Sequence, residues 1–273
     1  MSSQRHARLG PSSSDIWLNC TGAPAMWATR PPRKVGFAAH EGVLAHTLCE
    51  AALTIHAVPW KEGATFDVDG DSIQVTPEML NAVQLFAATT GSISDASQWR
   101  VVEGEVSLAW IWTLLGEEPP ENVFGTSDFG ACDGFTLYVL DFKFGRGKGV
   151  RVDRNTQLLL YALGLYGKLV RERPDLAQTI ENVCLVIVQP RAGGQPVRTW
   201  TISLGDLLYW GYSTFKPSVE IIANGGGPLV PGNHCFFCAA SIDCPVYARY
   251  RTQRSIDSFP DYDPELDAEL ETI

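Results

Sequence analysis

Two aspartates and a lysine carry the first chemical signal in this chain. In the stretch GTSDFGACDGFTLYVLDFKFGRGKG, Asp141 and Lys143 stand in an apolar strand pattern. Alternation sends both to one face, together with Leu137 and Val139. A carboxylate and an ammonium among apolar side chains are costly without a task or a partner. Asp128 lies 13 residues before Asp141, ahead of an Asp133-Gly134 turn, so a hairpin can bring the two carboxylates together. Paired carboxylates repel each other, and a divalent cation relieves the repulsion. With a lysine able to contact a water or a phosphate oxygen, the set suits metal-dependent phosphodiester hydrolysis. An isolated D-x-K is more often a strand charge pair. Here the next segment shifts the balance, because Gln157 and Tyr161 sit four apart on one helix face. Before them runs a basic loop with Arg146, Lys148, Arg151 and Arg154, expected to neutralise backbone phosphates without reading bases.

These residues need elements to hold them. Pro11-Ser-Ser-Ser opens a short helix ending near Cys20, and a Pro/Gly/Arg-rich loop runs from Thr21 to about Gly36. Residues 38–57 have helical periodicity, and Thr76-Pro77-Glu78 starts a second helix. Strands are predicted over Trp99–Trp110, Glu121–Gly130 and Phe135–Phe144, followed by a helix over 153–173. Asn182–Val188 and Arg198–Leu204 read as paired strands. A final long helix, capped by Ser203 or Asp206, should reach about Ile222. The order of helix, three-strand meander, helix and strand indicates a mixed α/β domain with a central sheet flanked by helices.

The combination G-x-x-D (Gly125–Asp128), D-x-K (Asp141–Lys143) and Q-x-x-x-Y (Gln157–Tyr161) resembles the RecB-type PD-(D/E)XK nuclease superfamily. The opening LGPSSSDIWLNCTG is similar to a phage-associated branch of it, so the resemblance spans most of residues 9–250. It implies a restriction-endonuclease-like core. It also implies a histidine from the helix GVLAHTLCE, namely His46 rather than His40, His56 or His234, with Glu50 one turn later orienting it. His46, Asp128, Asp141 and the backbone carbonyl of Phe142 would then hold Mg²⁺ or Mn²⁺. Lys143 would position the attacking water, and Gln157 and Tyr161 would contact DNA or steady the lysine. The second acid is an aspartate where glutamate is commoner, which moves that ligand by one methylene.

The implied activity is a metal-dependent DNA exonuclease that resects duplex ends in phage recombination or replication. Its substrate would be double-stranded ends or a single strand, and its partner a single-strand annealing protein. The alternatives are a repair or adaptation-type nuclease with endonuclease or flap activity, and a catalytically idle, cluster-bearing DNA-binding subunit. The setting would be the cytoplasm of a bacterium or a phage-infected host cell.

Seven cysteines argue against a complete disulfide framework. Cys49, Cys132 and Cys184 lie in apolar segments and read as buried thiols. Cys235, Cys238 and Cys244 form C-x2-C-x5-C, a spacing that suits a metal or cluster site. Iron–sulfur members of the superfamily, such as AddB and the CRISPR-associated adaptation nucleases, supply a fourth cysteine upstream, which corresponds to Cys20. The resemblance therefore implies a [4Fe–4S] cluster, with Zn²⁺ as the alternative, joining the N- and C-terminal segments. On this reading residues 1–254 form one nuclease domain: a cluster segment 1–37, a core 38–224 and a second cluster segment 225–254.

Charge at first points away from nucleic acid, since 21 Lys and Arg against 31 Asp and Glu give −10. Seven of the acids fall in residues 255–273, which contain no Lys or Arg; residues 1–254 are left at −3. That acidic tail reads as solvated, serving to dock a protein partner or to shield the DNA channel. No apolar run approaches the ~20 residues of a membrane span, and no signal segment is expected at the start.

Overall fold

The computed structural model describes residues 9–30, 36–55, 57–58, 60–121, 123–147 and 149–258. A short 3₁₀ turn leads into α1 (Ser14–Asn19) and α2 (Ala23–Trp27), the latter inside the segment expected to be loop. The helix α3 (Phe37–Ile55) precedes a hairpin, β1 (Thr65–Val68) and β2 (Asp71–Gln74), and then α4 (Pro77–Ser94). Next come β3 (Trp99–Ser107), a single turn α5 (Trp110–Thr113), β4 (Phe124–Cys132), β5 (Thr136–Phe142) and α6 (Thr156–Glu172). The chain continues through α7 (Pro174–Ala177), β6 (Asn182–Val188), β7 (Val197–Ser203), α8 (Leu204–Trp210), α9 (Lys216–Ala223) and α10 (Pro245–Ser258).

Five strands form one mixed sheet in the order β3-β4-β5-β6-β7. The pairs β3–β4, β4–β5 and β6–β7 are antiparallel, while β5 and β6 run parallel across the α6 crossover. Alternation along β5 sorts the core into two layers. Leu137 and Val139 pack with Leu158, Leu160 and Leu165 of α6, whereas Leu140 and Phe142 pack with Leu44 and Leu48 of α3 and Phe86 of α4. Each leucine so buried contributes about 1.5–3 kcal/mol. The helix starts follow from their caps. Thr76 Oγ1 accepts the Met79 N–H at 3.1 Å, and Asn155 Oδ1 accepts the Leu158 N–H at 3.1 Å. Asp133 Oδ1 accepts the N–H groups of Phe135 and Thr136, closing the β4–β5 turn over Gly134 at φ +106°.

Three expectations need correction. The β1–β2 hairpin was not anticipated, although its Asp69-Gly70 loop, with φ values of 51° and 91°, is a turn signal. The long helix expected up to Ile222 is interrupted by a π turn at Gly211–Phe215. Pro217 lacks the N–H and the space that a regular turn needs, so α9 starts afresh. The third concerns the cysteines. The ends of the domain do meet, with Cys20 and Ala23 packing against Cys238 and Ala240. The expected four-cysteine cluster is not what joins them.

Candidate metal centre

The site forms where the sheet splits. The β4–β5 ladder runs from Cys132↔Leu137 to Phe129↔Leu140 and stops there. Beyond that point β4 stays with β3 and β5 stays with β6, so a fork opens between them. The Asp128 carboxylate fills it, with Oδ2 accepting the Phe142 backbone N–H at 2.7 Å in place of a ladder bond. Asp141 lies across the fork and is 2% exposed; Asp128 is 8% exposed.

Lys143 closes the far side. Its Nζ stands 3.0 Å from Asp141 Oδ2, donates to Asp141 Oδ1 at 3.2 Å, and donates to Gln157 Oε1 at 2.8 Å. Gln157 Nε2 in turn donates to the Tyr161 hydroxyl at 3.0 Å. The lysine is thereby fixed from the start of α6. Burial, with the charges of Asp141 and Asp128, pushes the Tyr161 phenol far up, so it stays protonated. Gly125 belongs to this packing: a Cβ there would lie 2.6 Å from the Pro11 ring and 3.3 Å from Tyr161.

From the opposite layer, α3 brings His46. Its ring meets Phe142 edge-on at 5.3 Å, and Nδ1 faces Asp128 Oδ1 at 3.5 Å. The third member of the group, Glu103, was missed in the sequence. Ligand atoms of His46, Glu103 and Asp128 all lie within 4.8 Å of one another, the one such trio of His, Cys, Asp or Glu among the described residues. Glu103 reaches it through a left-handed backbone, φ +43° in mid-strand. Val101 and Val106 both pack on the α6 layer although regular alternation would oppose them, so the pleat shifts by one residue between them. Gly104 permits the kink, since a Cβ there would lie 2.0 Å from Val101 Cγ1. An acid beside a glycine in the valine-rich stretch VVEGEV was the only sequence signal.

The electrostatics are those of three crowded carboxyl groups facing an imidazole and an ammonium. Burial alone would lower the His46 pKa, but the charge and hydrogen bond of Asp128, with Asp141 and Glu103, push it up to about 9. Burial and the Asp128 charge raise Glu103 to about 8 against the pull of His46. Burial also raises Asp141, with Lys143 opposing it. Asp128 is held below the usual range: burial works against this, and His46, the Phe142 N–H and Lys143 outweigh it. Cys49, behind the pocket, is pushed far up by burial and by Asp128 and Glu103, and is inert.

Other expected residues fall elsewhere. Glu50 is exposed and makes no hydrogen bond to His46; Asp128 faces the imidazole instead. Arg146 is engaged with Glu78 at 2.7 Å and Arg151 with Asp153, so two cations of the basic loop already have carboxylate partners. Arg154 is exposed, and Lys148 and His56 lie outside the described residues. His40 binds Asp71 at 2.7 Å, and His234 Nε2 lies 3.0 Å from the Val230 carbonyl.

The cysteine expectation is overturned. No three of Cys20, Cys235, Cys238 and Cys244 bring their sulfurs within 4.8 Å of one another, so neither the [4Fe–4S] cluster nor the Zn²⁺ site is found. All seven cysteines are free thiols. The four border a common pocket of about 20 Å³, room for about one water molecule. Two of the sulfurs are spent on other partners: Cys20 Sγ accepts the Val230 N–H at 3.4 Å, and Cys238 Sγ accepts from Trp27 Nε1 at 3.4 Å.

A family model described as "Protein of unknown function (DUF2800)" matches residues 6–272. The chain belongs to that family. A solved structure described as "Crystal structure of SSO0001" is 15% identical to this DUF2800 chain, covers 63% of it and 76% of its own length, and has a TM-score of 0.27. That similarity is too low to bear on function. No helix among the described residues of the DUF2800 chain is long and apolar enough to cross a membrane.

Proposed function

We propose that this protein is a metal-dependent deoxyribonuclease of the PD-(D/E)XK kind, acting as an exonuclease on DNA ends. One observation carries the reading. At the fork between β4 and β5, Asp128, the D-x-K pair and the α6 glutamine converge on one site that also receives the half-buried His46 and Glu103. The donor set fits a divalent cation. His46, Glu103 and Asp128 would hold it, and Asp141, whose buried Oδ2 has the Lys143 ammonium beside it at 3.0 Å but no hydrogen bond, would complete the set with the Phe142 carbonyl. An imidazole among oxygen donors suits Mn²⁺ as well as Mg²⁺. When bound, the ion supplies Lewis-acid polarisation of the phosphate and lowers the pKa of water.

The chain's own residues do the rest. Lys143 Nζ, held by Gln157 and Asp141, orients the attacking water and meets the charge that develops on the phosphate. Tyr161 stays neutral and holds Gln157 in place. Arg154 and Arg146, both exposed and the latter paired with Glu78, would meet the DNA backbone. The narrower role, resecting duplex ends for a single-strand annealing partner during phage recombination or replication, is supported by the resemblance of the opening LGPSSSDIWLNCTG. Incubation with Mn²⁺ and matched linear and covalently closed circular duplexes tests it. Linear DNA should be degraded from its ends and circles left intact; nicked or linearised circles would make the enzyme an endonuclease.

A further inference from the structure

The C-terminal helix carries a surface that the metal centre does not use. Arg249, Arg251 and Arg254 of α10 are all exposed. Tyr247 and Tyr250, one turn apart, stack with ring centroids 6.2 Å apart and planes 24° apart. The Arg251 guanidinium lies over the Tyr247 ring at 5.3 Å, and that of Arg254 over Tyr250 at 5.9 Å. Both pairs have i, i+4 spacing, so two equivalent rungs follow each other along one face. Three arginines against Asp257 give residues 245–258 a net charge of +2 in a chain at −10.

Guanidinium stacked on a ring uses its face, and its N–H edge is the part that grips a phosphate. Tyrosine faces and guanidinium planes are also the surfaces on which unstacked bases settle. A duplex hides its base faces, whereas a single strand offers bases and phosphates together. We propose that the Tyr–Arg face of α10 binds single-stranded nucleic acid, with bases against Tyr247 and Tyr250 and a phosphate on Arg251. The proposal deepens the nuclease reading, on which it rests for the source of the strand, by placing a hold on that strand outside the carboxylate pocket.

The test uses the full chain in EDTA, with a fluorescein-labelled 20-mer of thymidylate followed by fluorescence anisotropy over a salt series. Y247A/Y250A should weaken binding about tenfold or more, the loss of two stacking platforms. R251A should weaken it too and lower the slope of log affinity against log salt by about 0.7, one phosphate contact on a single strand. Both variants should still melt in one cooperative transition and keep the Mn²⁺-dependent turnover of bis-p-nitrophenyl phosphate, a substrate with no strand to hold. Wild-type affinity in both variants overturns the proposal whatever the cleavage result. Strand binding that depends on these residues in a protein with no turnover sustains it while removing the nuclease reading. Binding seen only after residues 259–273 are deleted would assign the face to the chain's own acidic segment and would also overturn it.

Discussion

Loading the candidate site with a divalent cation should release protons, and the amount follows from its geometry. His46, raised to about 9, and Glu103, raised to about 8, are both protonated at neutral pH. A cation binding the trio must displace both protons, whereas Asp128, held low, is already ionised. The sign is therefore fixed: affinity rises with pH until the His46 pKa is passed. At pH 7 roughly one part in a hundred of His46 and one in ten of Glu103 is free, which holds apparent affinity about 10³-fold below its limit. At pH 8 the deficit shrinks to about 20-fold, so affinity should climb about 50-fold between pH 7 and 8. Isothermal titration of Mn²⁺ in two buffers of different ionisation enthalpy measures the affinity and counts protons, with about two expected per ion at pH 7. Glu103→Gln should leave about one. An affinity changing less than threefold over that interval, or no buffer dependence of the heat, would refute the proton-blocked trio.

Other consequences are more local. Phe86 is 1% exposed, and its ring lies 5.3 Å from that of Phe142 under the site strand. Phe86→Ala should cost about 3–5 kcal/mol in urea unfolding, the usual toll of an aromatic cavity. Gln157→Ala frees Lys143 without removing a carboxylate. It should lower kcat on labelled DNA on the order of 10²-fold with little change in KM, because only positioning is lost; an equal rise in KM would assign Gln157 to DNA binding. Gly104→Ala, forced against Val101, should displace Glu103 and weaken Mn²⁺ binding at least about tenfold, the equivalent of ~1.4 kcal/mol. Unchanged affinity would show that the left-handed turn at Glu103 is not what places it.

The legible parts of the site were those that local pattern determines. Strand alternation put Asp141 and Lys143 on one face, and helical spacing aligned Gln157 with Tyr161; the structure joins both pairs through Lys143. A tight Asp133-Gly134 turn was enough to foresee β4 beside β5. Glu103 was hidden because its position depends on a backbone φ that breaks the alternation. The basic loop was legible only as charge, and its sequence gave no hint that Glu78 from α4 would pair with Arg146. Cysteine spacing misled most. C-x2-C-x5-C is compatible with a ligand set, but whether sulfurs converge depends on Trp27 and the Val230 backbone, which engage two of them. The helix α10, unseen in the sequence pattern, runs from Pro245 through Ser258.

The central claim is that the fork between β4 and β5 hydrolyses phosphodiester bonds. End-labelled linear duplex with Mn²⁺ tests it most directly, comparing the wild-type chain with Asp141→Asn and Lys143→Ala after each variant's melting curve shows it folded. The account predicts mononucleotide or short-oligonucleotide release by the wild-type chain, abolished by EDTA and reduced at least about 10³-fold in both variants, on the order of 4 kcal/mol of transition-state stabilisation. Cleavage that persists in Asp141→Asn would contradict it, as would a wild-type chain that binds Mn²⁺ and DNA but leaves the label intact.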